Sequence, residues 1–359
     1  MSMSKTIKGF LLKFFTQKNK TDFDLSNSKK VLFLRYDRLG DMIITTPVFR
    51  ELKLAYPNIE ISVLASSANK DILNNNPYVD KVYTNHKNDF FKDYKTLKLL
   101  QKENFDVAVE FDHSVIPHAI LRLKIINAKK VISVHKDGRY NIKGSELELY
   151  DYFTPNNLNR HFRDIWLETL HPFGINSEAN NYDLFVNQEQ EKLAKEFLGQ
   201  YNSKKLIGIN LEGAVKGKKI EEKELKEICE GIYIKNQNIV IVILHTPNKI
   251  DEVNATINHM DLDYVVPSYS TKSILHLAAL VKELDLIITP DTSIVHIASA
   301  FDKPVISIHE NNQSSYTFFA PTSTLSFTVF SKSKNGLIGY DTMKIVEYSN
   351  DFFNKETNE

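Results

Sequence analysis

The chain alternates between short unbroken apolar runs and longer stretches in which apolar residues recur every three or four positions. Val31–Arg35, Glu60–Leu64, Lys81–Tyr83, Asp106–Phe111 and Val131–Val134 are of the first kind. Segments near Ile43–Leu54, Asn69–Asn74, Phe90–Lys102 and Ser114–Leu123 lie between them with helical spacing. Strands that read as continuous apolar runs are buried on both faces, so this alternation predicts a parallel sheet covered by helices. A further helix is expected across Arg160–Leu170, which carries the only tryptophan, Trp166; Gly174–Tyr182 reads as a linker.

A second series follows, with strands at Leu206–Leu211, Ile239–Leu244, Leu284–Ile288 and Pro304–Ile308 and helices at Glu221–Ile234, Lys249–His259 and Lys272–Lys282. The expected fold class is α/β, with two Rossmann-like doubly wound domains facing a central cleft at the carboxyl ends of their strands. The expected divisions are an arm over 1–28, a first domain over 29–180, a second over 181–335 and an acidic helix or tail over 336–359. No internal repeat relates the two halves.

Composition narrows the function classes. A length of 359 residues fits about two domains of ordinary size. Lys and Arg number 45 and so do Asp and Glu, which argues against a protein that coats nucleic acid but not against local patches. One cysteine, Cys229, excludes a disulfide framework or a multi-cysteine metal site within the chain. No apolar run approaches the ~18 residues needed to span a bilayer. A reducing cytoplasm is the expected compartment.

The first twenty residues depart from this balance, with Lys5, Lys8, Lys13, Lys18 and Lys20 and no acid. Ile7, Phe10, Leu11, Phe14 and Phe15 share one helical face. Such a helix suits an anionic membrane surface, or packs its stripe on the protein's own body.

Two loops at strand ends carry candidate chemistry. In Arg35–Pro47, Gly40 is expected to allow a tight turn, and Asp41 stands at a helix start. Asp41 either caps that helix or accepts a proton from a bound hydroxyl. In Ile287–Ala300, the helix start at Thr292 and Ser293 offers N–H groups and hydroxyls to an anion such as a diphosphate. His296, one turn in, is either a core histidine or a site residue. A third segment, Ile209–Lys219, brings Lys216, Lys218 and Lys219 to the same edge. Its glycine–lysine spacing is not that of a Walker P-loop, and no G-x-G-x-x-G occurs, which disfavours a dinucleotide oxidoreductase.

The string Val31–Pro47, with Arg35, Asp37, Arg38, Gly40-Asp41 and Thr46-Pro47, resembles the opening motif of family 9 glycosyltransferases, the bacterial lipopolysaccharide heptosyltransferases. Pro290-Asp-Thr-x-x-x-His296 followed by Ala300-x-x-x-Pro304-Val305 is similar to that family's second signature, and His161 also fits. The resemblance implies a GT-B fold with an acceptor domain first, a nucleotide-sugar domain second, and no cofactor and no metal. It implies Asp41 as catalytic base, with Arg38 and Gly40 on the acceptor side. It also implies Lys218, Asp291, Thr292, Ser293 and His296 on the donor. Ile220 replaces a family tryptophan, Ser293 a usual glycine, and His309-Glu310 an aromatic–glycine pair. Lys216 and Lys219 therefore stand as substitutes for Lys218.

The implied partners are a nucleotide-sugar donor, such as ADP-heptose, and a glycolipid lipid A–core acceptor. The implied location is cytoplasmic, peripheral on an anionic inner-membrane surface, with no nucleic acid partner. Arg122, Lys124, Lys136 and Arg139 are the cations expected to meet the acceptor. The expected reaction is inverting and metal-independent. Two alternatives stand beside it: a nucleotide-sugar epimerase of the same fold, and an inactive sugar-nucleotide-binding protein.

Overall fold

A computed structural model describes residues 3–18, 20–157, 159–213 and 217–356. The chain divides into two compact units, Met1–Ala179 and Asn180–Glu359.

The first unit runs α1 (Met3–Phe15), β1 (Lys30–Arg35), α2 (Leu39–Ala55), β2 (Glu60–Ser66), β3 (Lys81–Asn85), α3 (Phe90–Lys102) and β4 (Val107–Glu110). It continues with α4 (Pro117–Ile126), β5 (Lys130–Ser133), β6 (Tyr152–Phe153) and α5 (Phe162–Leu167). Among the described residues its sheet has six strands, all parallel, in the order β3-β2-β1-β4-β5-β6. Leu32 and Leu34 of β1 share a core with Leu97 and Leu100 of α3 and Ile120 and Leu123 of α4, and Leu12 of α1 packs on its rim. Phe33 instead meets Phe49 of α2 and Phe111, which in turn contacts Trp166 of α5. This alternation of neighbours along β1 is the two-residue period of a strand covered on both faces.

The second unit runs α6 (Gln188–Leu198), β7 (Lys205–Asn210), α7 (Glu222–Lys235), β8 (Ile239–Leu244), α8 (Ile250–Met260), β9 (Val265–Pro267) and α9 (Ile274–Glu283). It continues with β10 (Leu286–Pro290), α10 (Ser293–Ala300), β11 (Val305–His309), α11 (Gln313–Phe319), β12 (Ser326–Phe330) and α12 (Thr342–Glu356). Its strands are again parallel, in the order β12-β11-β10-β7-β8-β9. Counted from β7, this is the same order as in the first unit. In each sheet the winding reverses between two strands, β1 and β4 in one and β7 and β10 in the other. Open α/β sheets bind ligands beyond the carboxyl ends of such a pair.

The expected linker Gly174–Tyr182 has no helix or strand and spans the division between the two units at Ala179, and its last residue, Tyr182, is buried and packs edge-on to His296. Two expectations need correction. The stripe of α1 does not pack on the body: Ile7, Phe10, Leu11, Phe14 and Phe15 are all exposed. The helix attaches instead along Gly9, Leu12 and Thr16, because a Cβ at position 9 would lie 2.1 Å from the carbonyl oxygen of Tyr140. Gly40, finally, forms no left-handed turn; it lies in the first turn of α2, which begins directly after the extended Arg38.

Candidate active site

In the first unit, β1 ends at Arg35, and α2 starts four residues later. Arg35 is buried, with its guanidinium 3.7 Å from the Trp166 ring centroid and 5.1 Å from that of Phe111. A desolvated cation over aromatic faces contributes on the order of 2 kcal/mol. The same guanidinium donates to Asp37 (3.1 Å), to the Thr45 hydroxyl (2.9 Å) and to the carbonyl of Asp41 (3.3 Å). Buried Asn69 braces the loop from the other side by donating to the carbonyl of Arg35 at 3.1 Å. The first turn of α2 is thus held at fixed geometry.

Asp41 is the third residue of α2. Its Oδ2 accepts from the Arg38 N–H at a long 3.3 Å. Among the described residues its Oδ1 has no partner. One oxygen therefore caps and the other is available, so the two roles expected of Asp41 do not exclude each other. Further along the helix, Pro47 cannot donate to Ile43; the Thr46 hydroxyl does so instead at 2.7 Å, which keeps the helix continuous through a buried proline.

The neighbouring strand β4 ends in a polar cluster. Buried Glu110 pairs with buried Lys136 at 2.5 Å and accepts from Ser133 at 3.0 Å. Burial pushes Glu110 up, but the Lys136 charge together with hydrogen bonds from Asp112, Lys136 and Ser133 outweighs it, and its pKa is lowered. Asp112 alongside is pushed up to about 9 by burial and by the Glu110 charge, so this pair holds one proton. His113 stacks on Phe162, and burial lowers its pKa to about 4.

Of the cations expected to meet an acceptor, two are corrected. Arg122 is buried, ion-paired with Asp93 at 2.9 Å and lies over the Tyr36 ring; its charge is spent inside the unit. Lys136 is consumed by Glu110. Lys124 donates to the Gln17 carbonyl at 2.8 Å, and Arg139 lies over Tyr140.

In the second unit, the corresponding loops follow β7 and β10. Lys218 lies 3.2 Å from Asp291 and 3.0 Å from Glu310. Burial works against its ammonium, but the two carboxylates outweigh this and raise the pKa, so Lys218 is charged. Gly213 lies directly under it, where a Cβ would come within 2.3 Å of the Lys218 carbonyl oxygen. Lys219 turns away to Glu252 at 3.0 Å, and Lys216 lies outside the described residues. Of the two described lysines, only Lys218 reaches Asp291.

Thr292 caps α10, its hydroxyl accepting from Ile294 N–H at 3.2 Å, and Ser293 opens the helix. Buried Asn210, at the end of β7, donates to Thr289 (3.0 Å) and Thr292 (3.3 Å) and so ties the two switch-point strands together. His296 is buried between Tyr182 and Phe319, with no partner for Nδ1 among the described residues; burial lowers its pKa to about 4, which keeps it neutral. Ile220, where the resembled family has tryptophan, is part of the hydrophobic core.

Residues 94–336 match glycosyltransferase family 9 (heptosyltransferase). The chain belongs to that family. It is a glycosyltransferase. Lipopolysaccharide heptosyltransferase 1 of Campylobacter coli is 25% identical over 296 residues, covering 78% of this chain and 83% of that protein. The family 9 glycosyltransferase of Veillonella parvula superposes with a TM-score of 0.77 at 16% identity, covering 94% of this chain and 100% of the other. The Escherichia coli ADP-heptose lipopolysaccharide heptosyltransferase II superposes with a TM-score of 0.73 at 14% identity, covering 91% and 99%. These likenesses show the GT-B fold, with its two parallel-sheet α/β domains.

Within this family 9 chain, sequence reasoning missed Glu310, Asn210, Asp112 and His113. Each stands at or just after a strand end. Asn210, a polar residue closing the apolar run Leu206–Ile209, was the most readable of them.

Proposed function

We propose that the chain transfers a heptose from ADP-heptose to a lipopolysaccharide core acceptor, with inversion and without a metal. The unit Met1–Ala179 takes the acceptor and Asn180–Glu359 the nucleotide sugar, on the cytoplasmic side where nucleotide sugars are made. What carries the reading is that both motif loops of the family fall at the winding reversals of their sheets, Asp41 beyond β1 and Lys218 with Asp291 beyond β7 and β10.

In this mechanism Asp41 Oδ1 takes the proton from an acceptor hydroxyl while that oxygen bonds to the anomeric carbon. The bond from that carbon to the diphosphate breaks, and ADP leaves with the electron pair. Lys218 and the start of α10 at Thr292 and Ser293 stabilise the growing negative charge. Arg38 and Gly40 border the acceptor, and neutral His296 contributes shape and a hydrogen-bonding nitrogen rather than charge.

The test is incubation of purified protein with ADP-heptose and a core oligosaccharide acceptor, followed by mass spectrometry and NMR of the new anomeric proton. Gain of one heptose in the inverted configuration, unaffected by excess chelator, is the expected result. Transfer only with manganese, retention of configuration, or conversion of the donor in the absence of acceptor would each refute part of it.

A further inference from the structure

Helices α1, α3 and α4 cover the same face of the first sheet, since Leu12 of α1 joins the core built by Leu97, Leu100, Ile120 and Leu123. Lys124 of α4 reaches Gln17 just beyond α1, and Arg122 of α4 reaches Asp93 of α3. Their outward sides are unusual for a protein surface. On α1, Phe10 and Phe14 are 70% and 66% exposed on one stripe with Ile7 and Leu11; on α3, Phe90 and Phe91 are 74% and 77% exposed and in ring contact with each other, and Phe90 stacks on Tyr94. Isolated exposed apolar residues need no explanation, but a grouped aromatic set does.

The position of α1 is fixed rather than incidental. It is held along Gly9, Leu12 and Thr16, and by ion pairs from Lys13 to Glu146 (3.1 Å) and from Lys18 to Asp151 (3.0 Å). The body therefore grips one narrow edge and presents the aromatic stripe outward.

Charge selects the occupant. The three helices carry nine lysine and arginine residues and one acid, Asp93, which Arg122 occupies. Among the described residues Lys5, Lys8, Lys95 and Lys102 have no acidic partner. A second copy of the chain docked on this face would set these cations against their own duplicates. An anionic bilayer offers the opposite charge together with an apolar layer for the rings.

We infer that α1, α3 and α4 form a single membrane-docking face that lies flat on anionic lipid. No helix among the described residues is long and apolar enough to cross a membrane, so this is attachment in the interface plane. The inference stands on these helices alone and is independent of which sugar is transferred.

Sedimentation with phosphatidylcholine vesicles, with and without phosphatidylglycerol, tests it. Wild type is expected to partition about tenfold more strongly onto the anionic vesicles and to be released by high salt. The pairs Phe10→Ser/Phe14→Ser, Phe90→Ser/Phe91→Ser and Lys5→Glu/Lys8→Glu should each weaken that partition about fivefold or more, while transfer to a soluble acceptor stays unchanged. In a second measurement, Phe14→Trp should show emission quenched by brominated lipid, above the constant background of buried Trp166. Equal binding by all variants, no binding by wild type, a dimer dispersed by Phe10→Ser, or loss of soluble transfer in the surface variants would overturn the proposal.

Discussion

The ammonium of Lys218 lies 3.0 Å from the carboxylate of Glu310, whose other oxygen accepts the backbone N–H of Gly336 at 2.5 Å. Glu310 thereby links the loop after β7, the end of β11 and the loop beyond β12. Glu310→Ala should release Lys218 and the Gly336 loop together and raise the dissociation constant for ADP about tenfold, whereas Glu310→Gln, which still accepts from Gly336, should cost less. Calorimetry with ADP separates the two.

Lys218→Met removes the cation assigned to the leaving diphosphate. Turnover per KM for the nucleotide sugar should fall about 100-fold or more, the size expected for losing one preorganised charge stabiliser. Lys219→Met, which breaks only the pair with Glu252, should change it less than about twofold. Steady-state kinetics on both variants checks the assignment.

Asp41→Asn keeps an oxygen to accept from Arg38 but no longer takes a proton. Turnover should drop by roughly 10²–10⁴ while donor affinity stays within about twofold. Retention of wild-type turnover would remove Asp41 from the chemistry.

Arg35→Met deletes the cation over Trp166 and the donors to Asp37, Thr45 and Asp41. Urea unfolding should show a loss of about 2 kcal/mol or more, and Arg35→Lys should recover only part of it, because a lysine lacks the planar fork. Turnover should fall with ADP affinity unaltered, since only the first turn of α2 is loosened.

The pH dependence of stability follows from three buried groups. His296 and His113 are held near 4 against an ordinary value of 6.5, so as pH falls through 6.5 the unfolded chain takes protons the folded chain refuses, and stability drops. Asp112, pushed up to about 9 from 3.8, works the other way: as pH rises across that window the folded chain keeps a proton the unfolded chain has lost, and stability falls. The melting temperature should therefore peak near pH 6.5. Asp112→Asn should flatten the alkaline side and, because its window reaches down to 3.8, steepen the acid side, as scanning calorimetry across pH 4–9 would show.

The strands at Val31–Arg35, Leu206–Leu211 and Ile239–Leu244 were legible because a strand buried on both faces has no choice but to be apolar throughout. The short strands Tyr152–Phe153 and Val265–Pro267 pair only at the end of a sheet and have too few residues for a period to register. The loops carrying Asp41 and Asp291 could be found from motif order and strand ends. Partners could not. Arg122 looked like a free cation because Asp93 lies on another helix, and Glu310 looked like a mere departure because Lys218 and Gly336 meet it only through folding. The α1 stripe was readable as a helical face, but which edge the body would hold was decided by Gly9 and the carbonyl of Tyr140.

The strand order shared by the two units, in the absence of any sequence repeat between them, has an evolutionary corollary. Each sheet has its own winding reversal, and the residues proposed for the nucleotide sugar all descend from β7, β10 and their loops, none from β1 or β4. Under the proposed assignment, a lineage could retune the leaving nucleotide without rewriting the half that bears Asp41, and adopt a new acceptor without touching the residues proposed for the diphosphate. Chimeras exchanged at the boundary near Ala179 are then expected to inherit each preference from the half proposed to supply it.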